Sequence, residues 1–186
     1  MRKKLLFVLI EGLVLSCGMA YAQDVALKTR LTKVALLSFD VGVEWSLSPR
    51  WTADFSATYN PWTFKDNTKW KILMCEPQLR YWPCQKFFGW FIAAYMHGGA
   101  FNFGNLPFPR FQDTRYEGWF VGGGMGVGYQ ILLSRHLNLE IELGAGYDYS
   151  RYDSFLCAVC GKKISEDRPN HYWGLSKANI SLVYLF

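Results

Sequence analysis

Apolar side chains recur at every second position over most of this chain, the spacing of a β-strand with one face against an apolar medium. The cleanest case is residues 51–60, where Trp51, Ala53, Phe55, Ala57 and Tyr59 alternate with Thr52, Asp54, Ser56, Thr58 and Asn60. Just upstream, Phe39, Val41, Val43, Trp45 and Leu47 alternate with Asp40, Gly42, Glu44 and Ser46, and Ser48-Pro49-Arg50 supplies a turn. Together they predict a hairpin. Similar patterns predict strands over about residues 25–33, 73–81, 88–100, 117–131, 137–149 and 178–186. Pro77 falls inside the fourth of the eight, which a ladder accepts at a bulge or an edge. In the sixth, Gly122, Gly124, Gly126 and Gly128 share the face opposite Trp119, Val121, Met125, Val127 and Tyr129.

These segments have the length a tilted strand needs to cross a bilayer. After the first connection, short turns follow strands two, four and six, and long connections (61–71, 101–116 and 150–172) follow strands three, five and seven. The pattern predicts an all-β fold, an eight-stranded antiparallel up-and-down transmembrane β-barrel of the small outer-membrane protein type. Both termini are then periplasmic and the long loops extracellular. Trp45, Trp51, Trp82 and Trp90 lie beside the short turns, and Trp62, Trp70, Trp119 and Trp173 lie near the long loops. Two interfacial girdles are expected from this placement. Residues 87–109 carry no Lys, Arg, Asp or Glu, but Gly89, Gly98, Gly99, Gly104 and Pro107 argue against reading them as a membrane helix. A soluble periplasmic barrel with outward faces this apolar would aggregate.

Composition agrees. The chain has 186 residues, enough for one domain, and is 51% apolar, 18% aromatic and 19% charged. Its mean hydropathy is near zero, as expected where lipid-facing and lumen-facing residues alternate. Arg2, Lys3 and Lys4, an apolar stretch from Leu5 and Ala20-Tyr21-Ala22 read as a cleaved export signal over residues 1–22, leaving one barrel domain over 23–186. Cleavage removes three of the 20 basic and one of the 15 acidic side chains, for a formal charge of +3. That is too small an excess to suggest nucleic acid. Val14-Leu15-Ser16-Cys17 is a weaker candidate, a lipoprotein box with a large residue where a small one is usual.

The last segment ends on Ile180, Leu182, Tyr184 and Phe186. It resembles the C-terminal signal of bacterial outer-membrane barrels, which implies the barrel-assembly machinery as a partner during biogenesis. Lys28-Thr29, Tyr59-Asn60-Pro61-Trp62, Lys69-Trp70, Arg80-Tyr81-Trp82, His97-Gly98-Gly99, Tyr116-Glu117-Gly118-Trp119 and Cys157 to Gly161 are spread over nearly the whole mature chain. As a set they resemble an uncharacterised outer-membrane β-barrel family of Bacteroidota, of the domain-of-unknown-function class. The resemblance implies a fold and an outer-membrane address, and no activity.

The face assignment sends Lys28, Arg30, Asp40, Glu44, Asp54, Glu76, Arg80, His97, Glu140, Glu142, Asp148 and Lys177 into the lumen. An eight-stranded barrel is just wide enough to be filled by side chains, so a paired polar network that plugs the interior is expected. Ser134, His136 and Glu140 or Glu142 offer an alternative, a lipid A deacylase-like hydrolase, with the serine and histidine in a turn assigned to the periplasmic side. A narrow pore is the second alternative. Cys157 and Cys160 are expected to form a loop disulfide in an exported protein. Half a zinc site completed by Asp153 or His171 is the other reading of that spacing. Cys75 is expected at the lipid face, and Cys84 in a periplasmic turn beyond reach of the loop cysteines. No cofactor is called for. The long loops mix aromatics with cations (Trp62, Lys65, Lys69 and Trp70; Phe103, Phe108, Arg110, Phe111 and Arg115; Arg151, Tyr152, Lys162, Lys163 and Arg168). This suits a structural or surface-interaction role, with outer-membrane lipid, lipopolysaccharide or an envelope protein as partner and no nucleic acid.

Overall fold

The computed structural model describes residues 24–64, 68–105, 114–156 and 161–186. The predicted export signal, Cys17, Cys157 and Cys160 lie outside the described residues. Eight strands follow one another: β1 (Val25–Arg30), β2 (Phe39–Ser48), β3 (Trp51–Thr63), β4 (Lys69–Tyr81), β5 (Gly89–Gly104), β6 (Thr114–Leu132), β7 (Leu137–Leu156) and β8 (Lys162–Leu185). A single helical turn, α1 (Leu31–Ala35), joins β1 to β2. Each strand pairs antiparallel with the next, and β8 returns to β1, so the sheet closes into a ring. Closure satisfies the backbone of the first and last strands without leaving an open edge where they meet.

The stagger of the ring can be followed residue by residue. From Ala26 the paired residues run through Glu44, Asp54, Gln78, Tyr95, Gly124 and Gly146 to Gly174 on β8. Ala26 itself pairs with Leu185. One circuit therefore climbs eleven residues along β8, one of which, Ser176, is the extra residue of a bulge opposite Gly144 and Ala145. A stagger of this size tilts eight strands steeply about the axis and leaves a lumen that side chains can fill.

Residues 24 and 186 meet at one end, hereafter proximal, where the backbone N–H of Phe186 donates to the Val25 carbonyl at 3.1 Å. The turns after β2, β4 and β6 lie there. The distal end carries α1 and the tops of β3 to β8. Outward positions are apolar and exposed, as at Val41, Phe55, Leu73, Met96, Met125, Leu143 and Ile180, while the alternate positions are buried.

Several boundaries differ from the sequence expectation. β1 stops at Arg30, three residues early, because Asp40 takes both the backbone N–H (2.9 Å) and the guanidinium of Arg30. The chain then turns over as α1. Pro77 needs no bulge. It pairs with Phe55 on β3, and on its other side the β4–β5 ladder is interrupted between Cys75–Gly98 and Gln78–Tyr95 and resumes in the same register. The connection read at 150–172 is in fact hairpin, since β7 continues to Leu156 and β8 begins at Lys162. β1 pairs no higher than Ser181, so the distal part of β8 is laddered to β7 alone, with α1 packed beside it.

Candidate functional site

The interior is built in layers from the proximal end. Ala26, Phe87, Val183 and Leu185 form a buried apolar floor, and Trp82, Phe91 and Ala93 a second patch above it. Trp82, expected in the proximal girdle, is instead fully buried inside the ring and donates from Nε1 to Thr52 Oγ1 at 2.9 Å. The reason is parity. Trp82 continues the inward series of Gln78 and Arg80, and the chain after it folds across the opening with Phe87 at φ 62°. The Phe91 ring lies 4.5 Å below the Arg80 guanidinium, close enough to attract it. Gly128 leaves room for that ring, since a Cβ there would lie 2.2 Å from Phe91 Cζ.

Two layers of charge follow. In the deeper one, Arg80 contacts Glu140 at 2.6 Å, Glu142 at 3.1 Å and Glu44 at 3.2 Å. Lys28 contacts Glu140 at 2.8 Å, Asp54 at 3.3 Å and also Glu44. Two cations thus face four carboxylates, with Thr52 Oγ1 donating to Glu44 at 2.5 Å and Gln78 Nε2 to Glu142 at 2.6 Å. In the upper layer, Arg30 contacts Asp40 and Glu76, each at 3.0 Å, while Lys177 contacts Glu76 at 2.7 Å and Glu142 at 3.0 Å. Thr58 Oγ1 donates to Asp40 at 2.8 Å. The space left among these groups is about 10 Å³, room for about one water molecule. His97 Nε2 stands 2.7 Å from Asp148 Oδ1 nearer the distal end, and its ring stacks on Tyr95. All twelve charged or titratable residues assigned to the lumen therefore have a partner there, ten of them in ion pairs and His97 and Asp148 in contact with each other. Gln78, Thr52, Thr58 and Ser181 belong to the same interior and carry the signal of shared parity. Asn60 sits above them, bonded to Ser38 and the Leu36 carbonyl.

Above the upper layer the lumen opens into a vestibule of about 490 Å³ beneath α1. Ile72, Met74, Phe101 and Phe120 line one side, and Thr32, Lys33, Ser176, Lys177 and Asn179 the other. Here the strands exchange their polarity. Inward positions become apolar on β4 to β6 (Trp70, Ile72, Phe101, Phe103, Phe120), while outward positions become polar (Lys69, Lys71, Asn102, Glu117).

The structure does not bring the proposed triad together. His136 Nδ1 lies 3.1 Å from the Leu185 carbonyl in the exposed proximal turn, no hydrogen bond joins it to Ser134 among the described residues, and Glu140 and Glu142 are inside the ring. Cys75 and Cys84 are free and exposed. Of the distal cations, Arg151 pairs with Asp167 at 2.9 Å, and Lys163 bridges Asp153 at 3.0 Å and Glu166 at 2.7 Å. Asp153 also accepts the backbone N–H of Asp167 at 2.8 Å, and these two donors hold its carboxyl below the ordinary aspartate range. Lys65, Phe108, Arg110 and Phe111 lie outside the described residues.

The match to a family model spans residues 6–186, the model being described as a protein of unknown function, DUF3575. The chain belongs to the DUF3575 family. That description names neither a reaction nor a cellular address, so for DUF3575 the geometry above carries the functional argument. Neither the curated proteins nor the solved structures compared with the chain gave a match.

Proposed function

We propose that this DUF3575 chain is a small, closed outer-membrane β-barrel that performs no chemistry in its interior and acts at its distal, extracellular end as a structural or surface-interaction protein. The observation that carries the reading is the division of the ring. Outward residues between the two ends are apolar and uncharged, among them Val43, Ala53, Leu79, Ile92, Val127, Ile141 and Leu182, while the charge is inside and paired. Water would not support such an exterior, and hydrocarbon would. Outward aromatics gather at both margins, as in Trp51–Tyr81 and Trp90–Tyr129 proximally and Trp119–Tyr149 and Tyr147–Trp173 distally. Trp119 and Tyr129 are ten residues apart on β6, roughly 33 Å along the strand and about 23 Å along the axis at a 45° tilt, close to the apolar height of such barrels.

Membrane fractionation together with electrophoresis of boiled and unboiled samples tests the class. The chain is expected in the outer-membrane fraction, with a mobility that shifts on heating. An inner-membrane or soluble location would reject the proposal. The role is tested by replacing the hairpin tip between Arg151 and Arg168 with a tight turn. The heat-shifting barrel should persist while resistance of the cells to detergent and large antibiotics falls. Unchanged resistance would remove the envelope role and leave the fold.

A further inference from the structure

The vestibule is unlike the rest of the lumen. Its floor is the balanced upper layer, Arg30 and Lys177 against Asp40 and Glu76, and its wall carboxylate Asp148 faces His97. Every carboxylate that lines it therefore has a basic partner. Lys33 has none: among the described residues its ammonium forms no ion pair, although it is only half-exposed and lines the cavity. Burial and the Arg30 charge outweigh Glu76 and Asp40, neither of which forms an ion pair with it, and pull its pKa below the ordinary lysine value, the behaviour of a cation whose lost hydration is only partly replaced. Opposite it stand Phe101 and Phe120, with ring centroids 6.2 Å apart, and Ile72 and Met74 beside them. Apolar side chains turned toward an aqueous mouth, with Lys71 and Asn102 as outward neighbours of Ile72 and Phe101, form a concave wall without a filling. About 490 Å³ is within the range of small-ligand pockets.

We infer that this vestibule binds a small anionic amphiphile, its apolar body on the Ile72–Met74–Phe101–Phe120 wall and its acid group on the Lys33 ammonium. A carboxylate, sulfonate or phosphate ester on a short acyl or aromatic body fits the description. The molecule enters from the distal side, because the strands, with α1 beside the distal part of β8, flank the cavity and the charged layers close it below. This goes beyond the proposed envelope role and does not need it.

The test uses the protein in nanodiscs of zwitterionic lipid and three probes of equal chain length: octanoate, octanol and octylammonium. Binding is followed by the methyl resonance of Met74, which lines the pocket, and by calorimetry, with empty nanodiscs giving the lipid background. Octanoate is expected to bind most tightly, octanol more weakly and octylammonium least. Lys33→Ala should weaken octanoate about tenfold, the size of a lost charge-assisted contact, and leave octanol unchanged. Phe101→Ala should weaken octanoate and octanol alike. Equal affinity for octanoate and octylammonium, a Lys33→Ala variant with undiminished octanoate preference, or probe uptake that matches empty nanodiscs would each overturn the inference. The Met74 resonance of each variant without probe reports whether the barrel remains folded.

Discussion

Replacing Arg80 by methionine separates a network that holds the ring together from one that merely fills it. Arg80 is 2% exposed and its guanidinium touches Glu44, Gln78, Glu140 and Glu142 at 2.6–3.2 Å. Methionine keeps much of the volume, so the cavity contribution is small. What changes is charge, since Lys28 alone would then face Glu44, Asp54 and Glu140, and Glu142 would keep only Lys177. Removing one member of a buried, hydrogen-bonded set costs about 3–5 kcal/mol, a large share of the 5–15 kcal/mol typical of a domain. Urea unfolding in phospholipid vesicles, followed by tryptophan fluorescence, should show that loss for Arg80→Met. The companion Glu140→Gln removes one of the carboxylates left in excess. The double variant should therefore be more stable than the sum of the single losses implies, with a coupling of about 2 kcal/mol. A single loss under about 0.5 kcal/mol, or strictly additive effects, would refute the claim that these groups form one network.

Trp82→Ala should cost about 3–5 kcal/mol in the same assay, as for other large buried aromatics, yet give no conductance in planar bilayers, because the charged layers above it still fill the lumen. Gly128→Ala should cost about 1–3 kcal/mol through overpacking, since its Cβ would meet Phe91 at 2.2 Å and the Ile141 carbonyl at 2.8 Å. The control Gly104→Ala, where the nearest atom is 3.4 Å away, should stay near wild type. Acid should loosen the β7–β8 tip before the ring. The Asp153 carboxyl titrates below its ordinary value, about 3.9, when folded. Its contribution is complete above that value and is lost as pH falls through the lowered one. Pepsin cleavage between Arg151 and Arg168 should rise steeply toward pH 2, and Asp153→Asn should cleave readily already at pH 4.

The sequence carried the ring because its outer and inner surfaces differ in polarity, and a period of two records that difference at every strand. The same logic explains each misreading. Toward the distal tip neither face of a strand is apolar, so Arg151, Asp153 and Arg168 break the alternation while the backbone ladder between β7 and β8 continues past them. Residue type suggests an interface for Trp82, although its parity with Arg80 points inward. Gln78, Thr52 and Thr58 share the parity of Arg80 and Asp54, so the interior includes them although they carry no charge. α1 is a single turn without a capping side chain, too short for any periodic signal. The vestibule was hidden for a subtler reason. Inward aromatics on β4 to β6 keep the period of two but reverse its sense, and a reversal is visible only once the register of neighbouring strands aligns Ile72 with Phe101 and Gly99 with Phe120.

That reversal also bears on where selection for function acts. A filled lumen and an apolar exterior are what closure and a bilayer require of any small barrel, so the charged layers and the outward aliphatics explain themselves without a ligand. An apolar inner wall at the mouth is not required by either. It sets Phe101 and Phe120 apart from the outward aliphatics and from the packed interior alike, opposite an ammonium with no ion-pair partner among the described residues. If the wall served only to stiffen the distal strands, exchanging Phe101 for leucine would change stability and nothing else. If it holds a ligand, that exchange alters probe affinity at unchanged unfolding midpoint, and measuring the two together on one variant decides between them.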